Sequence, residues 1–169
     1  AIESSITLAI TALSKKMKQD GIKVLSFSAG EPDFETPKNI QEVGINAIKE
    51  GKTGYTAASG ILELKKSICA KLKRDNDLDY NPENIVISCG AKHAIFNSLA
   101  AILNPGDEVI IPTPYWVSYP HQVRLAGGTP VYAETDASTG FKITKQHLEQ
   151  VITSKTKALF LTTPSNPTG

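Results

Sequence analysis

Apolar positions in the first third of the chain recur at helical spacing. Ile6, Ile10, Leu13 and Met17 predict one amphipathic helix, with Gly21 as its stop. The short apolar run Val24 to Phe27 enters a loop that continues to Phe34. Thr36-Pro37 predicts a helix N-cap followed by proline at the first helical position, and Ile40, Val43, Ala47 and Ile48 supply the apolar face up to Gly51. After the loop Gly54 to Gly60, a further helix is marked by Ile61, Leu64, Ile68 and Leu72. It gives way to a polar stretch from Arg74 to Pro82.

A different rhythm follows. Ile85-Val86-Ile87, Val109-Ile110-Ile111, Val131 to Ala133 and Ala158 to Leu161 are short runs rich in β-branched residues, and each predicts a strand. Between them lie helical patterns: one through Ala94, Ile95, Leu99 and Ile102, one over Val117 to Leu125, and a short one containing Leu148 to Ile152. Strand–helix alternation predicts an α/β fold with a mostly parallel sheet. The last strand runs straight into the turn-rich segment Thr163 to Gly169 with no helix after it, so the chain is expected to be the N-terminal portion of a longer one.

Composition narrows the function classes. The chain has 169 residues, 40% hydrophobic and 21% charged, which excludes a disordered chain. Its 18 basic and 17 acidic residues nearly cancel, so no broad field for nucleic acid or an anionic membrane is expected. Apolar runs fall well short of the roughly 20 residues of a membrane helix, and neither a membrane partner nor a signal peptide is expected. Cys69 and Cys89 form no disulfide framework or zinc pattern, and a reducing, cytoplasmic setting is the simplest reading, with a plastid as the alternative.

Ligands in open α/β sheets gather beyond the carboxyl ends of strands, which directs attention to three loops. In Cys89-Gly90-Ala91-Lys92, a glycine leads directly into a helix, whose free N–H groups suit a phosphate; a simple tight turn is the plainer reading. The loop matches neither GxGxxG nor GxxxxGK[ST], so a dinucleotide or Walker site is not supported. Pro112 to Trp116 carries the only tryptophan, an indole able to cover a flat ligand or to sit in the core. Ser165 to Gly169 offers the Asn166 amide as a donor, although Asn-Pro is also ordinary turn chemistry. A fourth loop, Ser28 to Phe34, holds Glu31 and Asp33 without an evident acid–base partner. His93, His121 and His147 have no metal-like spacing and are read as structural or surface residues.

Taken together, Ser28-Ala29-Gly30-Glu31-Pro32-Asp33-Phe34, Tyr55, Gly90-Ala91-Lys92, Pro112-Thr113-Pro114-Tyr115-Trp116 and Ser165-Asn166-Pro167-Thr168-Gly169 resemble the pyridoxal-phosphate-dependent class I aminotransferases. The likeness is to the aspartate aminotransferases of bacteria and plastids, including the prephenate-using branch, and it runs from Ser5 to Gly169. It implies a three-layer α/β/α fold type I architecture, incomplete here. Residues 1–25 would belong to a small domain and 26–169 to the large cofactor-binding domain. It also implies roles. Gly90, Ala91 and Lys92 would meet the phosphate of pyridoxal 5'-phosphate, Trp116 would stack on its ring, and Asn166 would donate to its phenolic oxygen. Tyr55 would reach the cofactor of a second subunit, implying a homodimer with active sites at the subunit interface. Gly30, Trp116 and Asn166 would contact the amino-acid or 2-oxo-acid substrate, and Lys92 and Thr7 would read its distal carboxylate. Cis peptide bonds are expected at Asn166–Pro167 and Thr113–Pro114. In the family the Schiff-base lysine, the aspartate at the pyridine nitrogen and the arginine for the α-carboxylate all follow the Asn-Pro-Thr-Gly loop. No catalytic residue is therefore assigned within this chain, and the 169 residues alone are expected to be inactive. Other specificities of the fold (carbon–sulfur lyase, monocarboxylic or kynurenine aminotransferase) and a non-catalytic binding or assembly role remain the alternatives.

Overall fold

The computed structural model describes residues 6–27, 30 and 32–169, so Ser5, Ser28, Ala29 and Glu31 lie outside the described residues. The chain divides into two compact units, residues 1–55 and 56–169.

The first unit contains helix α1 (Ile6–Gln19) and helix α2 (Lys38–Lys49). Lys16 and Lys18 occupy the last turn of α1, where cations complement the helix dipole. Gly21 then takes φ 79°, the left-handed turn that lets the Ile22 N–H reach back to the Met17 carbonyl. Helix α2 starts one residue later than Thr36-Pro37 predicts. Pro37 itself sits at the N-cap with extended dihedrals (φ −52°, ψ 138°), and no side chain caps the helix. The Thr36 carbonyl instead accepts a hydrogen bond from the Gln41 side-chain amide. None of the α2 residues is buried; Ile40, Val43 and Ile48 stand exposed along the face that their spacing predicts to be apolar.

The second unit holds helix α3 (Leu62–Asn76), helix α4 (Ala91–Ile102), strand β1 (Glu108–Pro112), helix α5 (Ser118–Leu125), strand β2 (Thr129–Ala133), helix α6 (Lys145–Val151) and strand β3 (Thr156–Leu159). The three strands form one parallel sheet in the order β2-β1-β3. Central β1 reads Val-Ile-Ile because a parallel strand covered on both faces can be continuously apolar. Val109, Ile110 and Ile111 are at most 1% exposed, and each such burial stabilises the fold by about 1.5–3 kcal/mol. Side chains alternate across a sheet, and Val109 and Ile111 share a cluster with Leu99 and Leu103 of the α4 segment and Val123 of α5. Ile110 faces the other way. The β1–β2 and β2–β3 connections run in opposite directions across the sheet, and right-handed crossovers then put α5 and α6 on opposite faces.

Two strand expectations change. Ile85 to Ile87 forms no ladder among the described residues: its one cross-chain bond is from the Ile87 N–H to the Ser59 carbonyl (3.0 Å), too little for a strand. Strand β3 lies two residues earlier than predicted. Its register against β1 (Val109 with Ala158, Ile110 with Leu159) ends the ladder as the Phe160 N–H bonds the Ile110 carbonyl, leaving Leu161 exposed in the following loop. Cis peptide bonds occur at Thr113–Pro114 and Asn166–Pro167, as expected, and also at Thr163–Pro164.

Candidate functional site

The loops after β1 and β3 leave the same edge of adjacent parallel strands, so Trp116 and Asn166 emerge on one side of the sheet. The β1 loop is held at its root by Thr113. Its N–H donates to the Ala133 carbonyl (3.0 Å), its hydroxyl donates to Glu134 Oε2 (3.0 Å), and its carbonyl accepts from the Thr135 hydroxyl. At the far end of the loop, the Trp116 carbonyl accepts the Tyr119 N–H (3.0 Å) as α5 begins. The Tyr119 hydroxyl then lies 3.4 Å from Thr162 Oγ1, linking this segment to the loop that carries Asn166.

A cleft of about 380 Å³ opens between these loops. Its walls include Pro114, Tyr115, Tyr119, Phe141, Phe160 and Asn166. Tyr119 stacks on Phe160 (centroids 4.6 Å apart) and Tyr115 on Tyr132 (5.2 Å). Burial pushes the Tyr115 phenol above its ordinary value, and the neighbouring Tyr132 hydroxyl adds to the shift, so Tyr115 stays neutral near pH 7. The Asn166 side chain is exposed and, among the described residues, no hydrogen bond occupies its amide, which is therefore available as a donor.

The start of α4 supplies a second feature. Gly90, the N-cap residue, has φ 84° and ψ 169°, and no side chain caps the helix. The N–H groups of Ala91, Lys92 and His93 consequently have no protein acceptor among the described residues. A Cβ at Gly90 would meet nothing within 4 Å, so the space beside these amides is open. Uncapped amides and a helix dipole together favour an anion. His93 is not free to compete for it through Nδ1, which accepts the Cys89 N–H (3.0 Å). Lys92 extends over the half-buried Trp116, its Nζ 5.6 Å from the ring centroid.

The structure thus brings Lys92 to Trp116, and Asn166 to Tyr115 beside Trp116. Trp116 and Gly90 to Lys92 do not line the cleft itself. Thr7, Gly30 and Tyr55 belong to the first unit. Thr7 is half-buried and its carbonyl accepts the Thr11 hydroxyl (2.8 Å); Gly30 is exposed; Tyr55 is fully exposed. His147 caps α6 with Thr144, a structural role. Tyr119, Phe141, Phe160 and Gln122 are missing from the sequence reading. Three are aromatic residues whose spacing along the chain gives no sign that they converge, and a glutamine in a short helix carries no signal of burial.

Residues 22–169 match the family described as "Aminotransferase class I and II", and the chain belongs to that family. It is 53% identical over 165 residues to the aspartate aminotransferase of Bacillus sp. (strain YM-2), covering 98% of this chain and 42% of that protein. It is 49% identical over 168 residues to the aspartate/prephenate aminotransferase of Cereibacter sphaeroides, covering 99% of this chain and 42% of the relative. Among solved structures, the aspartate aminotransferase of Thermus thermophilus with maleate superposes with a TM-score of 0.94 at 42% identity, covering 98% of this chain and 44% of the other. The chain spans a little over two-fifths of the length of these relatives.

Proposed function

We propose that the protein acts as a pyridoxal-phosphate-dependent aminotransferase on aspartate or a similar dicarboxylic amino acid, and that this chain supplies much of the cofactor grip. The amino acid leaves as a 2-oxo acid, and a second 2-oxo acid takes up the amino group. The observation that carries the reading is the uncapped start of α4 behind Gly90, with Lys92 lying over Trp116. Those residues suit a flat, phosphorylated ring: amides for the phosphate, an indole for the face, and the Asn166 amide for a ring oxygen. When bound, the cofactor supplies the electron sink that lets the substrate α-carbon lose a proton.

The chain's own residues bind and orient. Ala91 and Lys92 hold the phosphate through backbone N–H groups, which carry no side-chain entropy cost. Trp116 fixes the tilt of the ring. Asn166 donates at one ring edge and, with Trp116 and Gly30, helps hold the substrate. Lys92 Nζ, a flexible point charge, and Thr7 read the distal carboxylate. The Thermus relative was solved with maleate, itself a dicarboxylate, which supports that choice over a monocarboxylic substrate. The lysine that anchors the cofactor is assigned to the part of the relatives beyond this match.

Tyr55 reaches the cofactor of a second subunit, and the protein works as a homodimer; the full exposure of Tyr55 and the uncovered apolar face of α2 support this. Residues 1–25 join the small domain and 26–169 the large one. The setting assigned is cytoplasmic; separately, no helix among the described residues is long and apolar enough to cross a membrane.

The test is steady-state turnover by the product of the complete reading frame with aspartate, glutamate, kynurenine and prephenate as partners. Preference for the dicarboxylic pair is expected. A rate confined to kynurenine or other monocarboxylic substrates would overturn the specificity, and no transamination with any of them would overturn the activity.

A further inference from the structure

Gln122 lies where α5 packs on α4, and it is 8% exposed. Its Nε2 donates to the Lys92 carbonyl at 2.6 Å, across 30 positions of sequence. Its Oε1 is buried and has no partner among the described residues. A buried amide satisfied on one side only is costly, and an apolar residue of equal size would fill the same space without that cost. Stability alone therefore does not favour glutamine here.

The bond reaches a particular carbonyl. Lys92 O lies in the first turn of α4 and, by helix geometry, already accepts the N–H four residues on. The extra donor is not needed to satisfy the backbone; what it adds is a fixed distance between the first turn of α4 and α5. The α5 segment also carries Trp116, two residues before its first helical position. Lys92 is thus tethered twice to that segment, by its carbonyl to Gln122 and by its ammonium over Trp116.

We infer that Gln122 is a positioning residue for phosphate recognition. It sets the rotation of the first turn of α4, and so the direction of the Ala91 and Lys92 N–H groups relative to the indole. The inference rests on the proposed function, since it assigns Gln122 a task at that site. Gln122 touches neither cofactor nor substrate, and it acts through Lys92.

The test compares dissociation constants for pyridoxal 5'-phosphate and for pyridoxal in the product of the complete reading frame. The ratio of the two isolates the phosphate contribution. Gln122→Met keeps the volume and removes the donor. Val123→Ala, a cavity in the same helix among Leu99, Leu103, Val109 and Ile111, is the control for general destabilisation. Gln122→Met is expected to shrink the phosphate preference by about five- to tenfold, while Val123→Ala lowers the melting temperature and leaves the ratio unchanged. An unchanged ratio in Gln122→Met, beside a clear preference in the wild type, overturns the positioning role and leaves the proposed function standing. An equal loss in both variants also overturns it, because general loosening would then suffice. A wild type with no preference for the phosphate ester overturns both.

Discussion

Lys92 Nζ sits 5.6 Å from the centroid of the Trp116 ring. A cation over an indole at an exposed site gains about 0.5–1 kcal/mol, enough to bias a flexible side chain without locking it. The ammonium is held near the proposed ring site while its donors stay accessible. Lys92→Ala should raise KM for aspartate by about tenfold or more, in line with the loss of a charge-assisted hydrogen bond. KM for a monocarboxylic amino acid should change little. Equal effects on both substrates, measured by steady-state kinetics, would remove Lys92 from distal-carboxylate recognition.

Trp116 offers a flat apolar face rather than a hydrogen bond. Trp116→Phe should keep most of the cofactor affinity, and Trp116→Ala should weaken it by about tenfold, on the scale of an aromatic pair worth about 0.5–1.5 kcal/mol beyond its buried area. Equilibrium titration with pyridoxal phosphate reads both. Unaltered affinity in Trp116→Ala would mean that the indole does not cover the ring.

Two glycines with left-handed backbones separate strain from crowding. At Gly60 (φ 103°) a Cβ would fall 2.2 Å from Ile87 Cγ1, whereas at Gly90 (φ 84°) it would meet nothing within 4 Å. Both alanine variants incur about 1–3 kcal/mol of backbone strain, and Gly60→Ala adds about 1–3 kcal/mol of overpacking. Thermal melts should therefore rank Gly60→Ala below Gly90→Ala. Gly90→Ala, by placing a methyl group in the open space beside the α4 amides, should lose more phosphate affinity than stability. A reversed order in the melts would contradict the packing described around Ile87.

Acid stability should depend on Asp136. Hydrogen bonds from the Ser138 hydroxyl and N–H hold its carboxyl below the ordinary carboxylate range. A depressed folded-state value means the contribution is fully present above the unfolded value and disappears as the pH falls through the folded one. Asp136→Asn should accordingly flatten the melting-temperature profile on the acid side of that range and leave its alkaline limb unchanged. An acid limb identical to that of the wild type would show that the interaction contributes nothing to stability.

Much of this architecture is legible in the pattern of residues. Helix α4 has a helical periodicity and strand β1 an unbroken apolar run, and they pack against each other in the buried core. Ile85 to Ile87 has the composition of a strand, but a ladder needs a neighbour, and composition carries no information about one. The start of β3 shifted because its register is set by β1, not by its own apolar run. At the site, Gly90, Trp116 and Asn166 stand out through special backbone or side-chain chemistry. Gln122 does not, because its importance lies in a contact with a residue 30 positions away. The aromatic wall of the cleft is hidden for the same reason, with Phe141 and Phe160 brought to Tyr119 only by the crossovers of the sheet.

The most direct measurement is a crystal structure of the complete protein with pyridoxal phosphate bound. The phosphate is expected within hydrogen-bond distance of the Ala91 and Lys92 N–H groups, the ring against the Trp116 indole, and the Asn166 amide at the phenolic oxygen. A phosphate seated away from the start of α4, or a ring that leaves the indole uncovered, would contradict that placement.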